Sequence, residues 1–231
     1  MPDTAPDRTP WRAIAIAAAA IGLVVLMAVL GALNPPVPSG VSTDRLGPER
    51  GEPVADYLAR AHDSLASPGA DDRGDTDEHW ALVSFTETLT PDRIPAHGGG
   101  LRIAQVIHQT RIPRVHTPIV TVAVPAGDAA AVASADNAAW QLLAQPASDE
   151  RFARVVAISV SRLRAGCACT IGIVVRGSLP RLRELSTQNG IRAVQALPAD
   201  AVSGRFAVVP LPPDQNDVVA PGPDDGPLPE R

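Results

Sequence analysis

The sequence predicts an α+β protein: an N-terminal transmembrane helix, then a mixed sheet of about five strands covered by helices, and a disordered Pro-rich acidic tail. Three observations predict it. An uncharged apolar run lies near the start of the chain, strand-like and helix-patterned segments follow in the order β–β–β–α–α–β–α–β, and seven prolines with acids between them follow Phe206. A length of 231 residues gives room for one domain of roughly 100–150 residues plus appendages. Two cysteines are too few for a disulfide scaffold, and the hydrophobic fraction of 45% excludes a wholly disordered chain.

From Ala13 to Leu33 no residue is charged, and at 1.5 Å per residue those 21 positions span roughly 30 Å, the thickness of a bilayer core. The run is too long for the apolar core of a cleaved signal peptide, and no A-x-A site follows it, so it reads as an uncleaved signal anchor. Residues 1–12 then form a cytoplasmic head, and the rest of the chain is expected outside the membrane, as a single-pass protein of the cell membrane. Asn34 to Glu52, rich in Pro and Gly, reads as a stalk that continues through a short amphipathic helix over 53–66 into an acidic linker ending at residue 78.

The folded domain is expected over 79–206. Ala81–Thr88, Leu101–Gln109 and Ile119–Val124 carry strand composition, and the connection Thr110–Thr117 is short enough for antiparallel pairing of the second and third. Asp128 suits the cap of an Ala-rich helix to Ala144. Ser148 suits the cap of a second helix, in which Phe152, Val155, Val156, Ser159, Val160 and Leu163 share one stripe. Cys169–Arg176, a helix opened by Ser178 and Pro180, and Ile191–Leu197 then form a β–α–β unit, whose crossover predicts parallel strands. The remaining residues, 207–231, read as the disordered tail.

The segment His108-Gln109-Thr110-Arg111-Ile112-Pro113-Arg114-Val115-His116 sets basic side chains between two apolar strands. His108, Arg111, Arg114 and His116 are therefore candidates for binding an anion or a partner, since guanidinium groups hold carboxylate and phosphate bidentately. Cys167 and Cys169 are either buried structural thiols, a tight bridge that requires a bulge or turn at Gly166, or a redox or metal pair. No further Cys or closely spaced His completes a zinc site, and no cofactor is implied. His97-Gly98-Gly99-Gly100 matches the oxyanion-hole tetrapeptide of lipases, but the G-x-S-x-G elbow that must follow does not occur. With no catalytic residues assigned and no aromatic-laced basic stretch for nucleic acid, a non-catalytic binding domain is the expected function.

The helix around Tyr57-Leu58-Ala59-Arg60-Ala61, the strand from His79 to Phe85 and the segment from Gly166 to Gly177 together resemble a group of actinobacterial single-pass membrane proteins linked with cell-envelope integrity. What that resemblance implies is location and process, without an enzymatic activity. Two other readings stand beside it: an accessory subunit of a membrane complex recognised through its transmembrane helix, and an envelope hydrolase or redox enzyme.

The net charge of −5 conceals a division. Residues 1–80 carry 6 Arg and 12 acids, residues 81–206 carry 13 Arg and 8 acids, and residues 207–231 carry 1 Arg and 5 acids. A basic domain between acidic flanks favours an anionic envelope polymer, lipid or protein as the partner, with the flanks as competitors for the same surface.

Overall fold

The computed structural model describes residues 16, 18–25, 27, 44–66 and 76–229, and the chain divides into two units, Met1–Val41 and Ser42–Arg231. In the first unit the continuous described run, residues 18–25, is helical and about 12 Å long at 1.5 Å per residue. Among the described residues no helix is long and apolar enough to cross a membrane, which corrects the transmembrane helix of the expected fold. The rest of the expected anchor, the head 1–12, the stalk to residue 43 and the acidic stretch 67–75 lie outside the described residues.

The second unit is built on a five-stranded sheet of β2 (Glu78–Leu89), β3 (Arg102–Gln109), β4 (Ile119–Ala123), β5 (Thr170–Ser178) and β6 (Ile191–Ala196), in the order β4-β3-β5-β2-β6. All four pairings are antiparallel, so the expectation of a mixed sheet is corrected. The reason lies in the β–α–β unit. Both β5 and β6 pair antiparallel to β2 and so run in the same direction, but β2 is inserted between them and they share no hydrogen bonds. The crossover helix α5 (Leu179–Ser186) therefore spans a split pair.

Each face of the sheet is covered. Ala81, Val83, Phe85, Val106, Ile173 and Val175 meet α3 (Ser134–Leu143), α4 (Glu150–Arg164) and α5, with the single-turn helix α2 (Asp128–Val132) leading into α3. α4 starts where Asp149 accepts a hydrogen bond from the Phe152 amide at 2.8 Å, one residue beyond the expected Ser148. It buries the predicted stripe, including Val155, Val156, Ser159, Val160 and Leu163. On the opposite face Trp80, Leu82, Ile107, Ile171 and Val174 meet Leu46, Leu197 and Phe206. β5, central in the sheet, is apolar on both faces, which explains its unbroken Thr-Ile-Gly-Ile-Val-Val run.

Segments before and after the sheet are paired with each other. β1 (Arg45–Leu46) runs parallel to β7 (Ala207–Val208), and Gly51 and Val54 donate to the carbonyls of Val219 and Asp217 at 2.8 Å each. The Gly47 amide donates to Gln195 Oε1 at 2.6 Å. Helix α1 (Val54–Asp63) buries Val54, Tyr57 and Ala61 with Ala193, Leu211 and Val219. The expected disorder of the tail is therefore corrected for the described residues 207–229. Leu211 is fully buried, and Arg192 donates to the carbonyls of Pro212, Pro213 and Gln215 at 3.3, 3.2 and 2.6 Å. Proline makes this order cheap in entropy, because a chain already restricted to extended conformations loses less freedom on docking.

Candidate functional site

The segment from Thr110 to Pro118 joins β3 to β4 at one end of the sheet, and its own contacts make it a rigid platform. Thr117 Oγ1 donates to the Thr110 carbonyl at 2.5 Å, Thr110 Oγ1 bonds Ser159 Oγ at 2.6 Å, and Arg162 Nη1 donates to the Arg111 carbonyl at 2.7 Å. Ile112 and Val115 turn inward against Val155 and Ile158 of α4, which leaves the arginines on the outside. Arg114 sits at φ 56, in the left-handed region, and is the sole non-glycine with positive φ among the described residues. Such a conformation costs free energy and persists where surrounding contacts fix it.

Acids of the tail meet this platform. Arg111 forks onto Asp214, Nη1–Oδ1 and Nη2–Oδ2 both at 2.5 Å. Arg114 forks onto Asp225, Nε–Oδ1 at 2.8 Å and Nη2–Oδ2 at 2.5 Å. The His116 amide donates to Asp224 Oδ1 at 2.9 Å, and its ring Nε2 bonds the Gly222 carbonyl. That carbonyl can only accept, so the ring carries its proton on Nε2. From α4, Arg151 Nη2 donates to the Gly226 carbonyl at 2.9 Å and approaches Asp224 at 3.5 Å. The hydrogen bond from the His116 amide, with Arg151 adding to it, holds the Asp224 carboxyl below the ordinary carboxylate value.

Between loop and tail lies a cavity of about 750 Å³. Arg45, Arg50, Arg111, Arg114 and His116 line it with Asp214, so its charge is predominantly positive. Arg45 and Arg50 have no ion-pair partner among the described residues. A second cavity of about 310 Å³ is lined by His116, the first turn of α4 and Asp224.

Three of the four expected basic residues thus share one surface, and the fourth does not. His108 lies on β3, is 1% exposed and faces α3. Ser134 Oγ donates its proton to the Ala131 carbonyl at 2.6 Å, so it accepts from His108 Nε2–H at 2.9 Å. His108 Nδ1 is left to accept from Thr170 Oγ1 at 3.2 Å. Burial lowers the imidazole to about 4 and keeps it neutral. Neither cavity is lined by His108, Ser134 or Thr170, so this chain of hydrogen bonds ties β3 to α3 and β5 inside the fold.

Cys167 and Cys169 form a bridge, with Cα atoms 5.3 Å apart. The turn that this requires is present. Gly166, at φ 70, ends α4 in a Schellman arrangement, its amide donating to the Leu163 carbonyl at 3.0 Å and the Cys167 amide to the Arg162 carbonyl at 3.1 Å. Cys169 then enters the core directly before β5. His97, in the Gly-rich loop, bonds the Arg93 carbonyl through Nδ1 at 2.9 Å and packs edge-on against Phe85.

Sequence reasoning missed Arg45, Arg50 and Arg151 as contributors, and Asp214, Asp224 and Asp225 as counterparts of Arg111, Arg114, His116 and Arg151. The one available signal was the opposed charge of domain and tail; residues 73 to 111 positions apart give no local pattern. Compared with known protein families, curated proteins and solved structures, the chain matches none.

Proposed function

We propose that this chain is a non-catalytic binding module of the cell envelope, which takes an anionic envelope component or protein partner on the basic platform of Arg111, Arg114, His116 and Arg151. The observation that carries the reading is the double fork: Arg111 and Arg114 each grip a carboxylate in the bidentate geometry suited to an exchangeable anion. Arg45 and Arg50, which have no ion-pair partner among the described residues, line the adjoining cavity and extend the same cationic surface. The Cys167–Cys169 bridge favours an oxidising, extracytoplasmic compartment, and the resemblance to actinobacterial envelope-integrity proteins agrees with it.

The test is binding of the full chain to poly-L-glutamate and to phosphatidylglycerol vesicles over a salt series, beside the variant carrying Arg45→Gln, Arg50→Gln, Arg111→Gln and Arg114→Gln. Binding to at least one probe that weakens steeply with salt and is lost in the variant is the expected result. Equal binding by both proteins overturns the reading, as does absence of binding by the unaltered chain and by its Asp224→Asn/Asp225→Asn form alike.

A further inference from the structure

We infer that the platform recognises an extended acidic peptide with an Asp-Asp-Gly step, and that residues 220–229 occupy this peptide site in cis. The inference rests on the binding function proposed above and names its ligand class.

The contacts read a peptide backbone as well as its charges. The Gly226 amide donates to the Arg114 carbonyl at 2.7 Å, the Gly226 carbonyl accepts from Arg151 at 2.9 Å, and the Gly222 carbonyl accepts from the His116 ring. A phosphate polymer or lipid headgroup would engage the guanidinium groups, yet it has no backbone amide to give the Arg114 carbonyl. Shape agrees. A Cβ on residue 226 would lie 2.4 Å from the Pro113 carbonyl oxygen and 2.8 Å from that of Arg114, so the cradle admits glycine alone. Asp224 and Asp225, immediately before it, reach His116 and Arg114.

The segment is held at its surface. Side chains of the Arg114–Asp225 and Arg151–Asp224 pairs are 42–63% exposed, and from Ala220 to Pro229 only Gly226 is buried, with Leu228 half-buried on Ile112, Val115, Val155 and Ile158. Residues 207–219 differ: there Leu211 and Val219 belong to a buried cluster and β7 is paired. Residues 220–229 can therefore leave while the fold stays closed, and a partner segment of the same chemistry can replace them. As an intramolecular ligand the segment competes at a high effective concentration, which lowers the apparent affinity for any partner.

The test uses the full chain and a labelled peptide with the sequence of residues 220–229, read by fluorescence anisotropy. The variant Asp224→Asn/Asp225→Asn weakens the occupant, and we expect it to bind the peptide at least tenfold more tightly than the unaltered chain. Adding Arg114→Gln should abolish that binding, and Ala at the glycine corresponding to Gly226 in the peptide should reduce it at least tenfold. Absence of binding by the Asn variant, or equal binding of a scrambled peptide, overturns the inference. Should the Asn variant bind phosphatidylglycerol vesicles or poly-L-glutamate but not the peptide, the peptide site is refuted and the general anion-binding function stands; should it bind none of them, both fail.

Discussion

Arg114 and Asp225, 111 residues apart in the chain, meet in a two-pronged ion pair, Nε to Oδ1 at 2.8 Å and Nη2 to Oδ2 at 2.5 Å. Because the two side chains are 61% and 63% exposed, water screens the pair and its contribution to global stability is at most about 1 kcal/mol. Its role is local. Arg114→Gln should leave the thermal midpoint within a few degrees of the unaltered chain while making the segment around Gly226 more sensitive to protease; a collapse of the whole fold would show that the pair is structural.

A second expectation concerns acid. The Asp224 carboxyl titrates below its ordinary value of 3.8 because the folded state favours its charged form, so its hold on the segment is complete above that value and is lost as pH falls through the depressed one. An NMR titration should show the Gly226 and His116 amides moving together in this acidic window, and Asp224→Asn should remove the step.

His108 gives a separate pH dependence of the opposite chemical type. Its folded pKa of about 4 lies below the usual 6.5, so the unfolded chain binds the proton first. The contribution of His108 to stability is full above pH 6.5, decreases by about 3 kcal/mol as pH falls to about 4, and changes no further below. Denaturant titrations across this range should show the decline, and His108→Gln should flatten it at the cost of a lower plateau.

Two glycines near β1 separate steric from conformational cost. A Cβ at Gly47, φ 107, would lie 1.6 Å from the Val209 carbonyl oxygen, whereas at Gly51, φ 82, nothing lies within 4 Å. Gly47→Ala should destabilise by about 3 kcal/mol or more, and Gly51→Ala by about 1 kcal/mol, from backbone strain alone. Thermal denaturation of the two variants distinguishes the effects.

The bridge is expected to contribute modestly. Its closed loop holds three residues, Cys167 to Cys169, for which loop-closure entropy gives about 1.5 kcal/mol. Calorimetry of the Cys167→Ser/Cys169→Ser variant should show a loss of that order.

The five strands and the stripe of α4 were legible because periodicity is local: Phe152, Val155, Val156 and Ser159 declare a helix face without reference to anything distant. The direction of β5 and β6 was legible from the helix between them, but a crossover says nothing about which strand is inserted, and β2 precedes it by some eighty residues. His108 falls both at the end of the expected strand Leu101–Gln109 and at the head of the basic segment, and the strand alternation it shares with Val106, whose side chain is buried on the helical face, decides between them. In the tail, composition predicts disorder, which the docked residues 207–229 correct. It was silent on docking, because Leu211 finds Tyr57 and Asp214 finds Arg111 only once the sheet has brought the two ends of the unit together.

The most direct test of the account is amide hydrogen exchange of the full chain, comparing Gly226 and His116 in the unaltered protein and in Arg114→Gln. If the acidic segment sits on the basic platform, both amides are protected near neutral pH and low salt, and protection at both is lost in the variant while the β5 amides are unaffected. Rapid exchange at Gly226 in the unaltered chain would contradict the account.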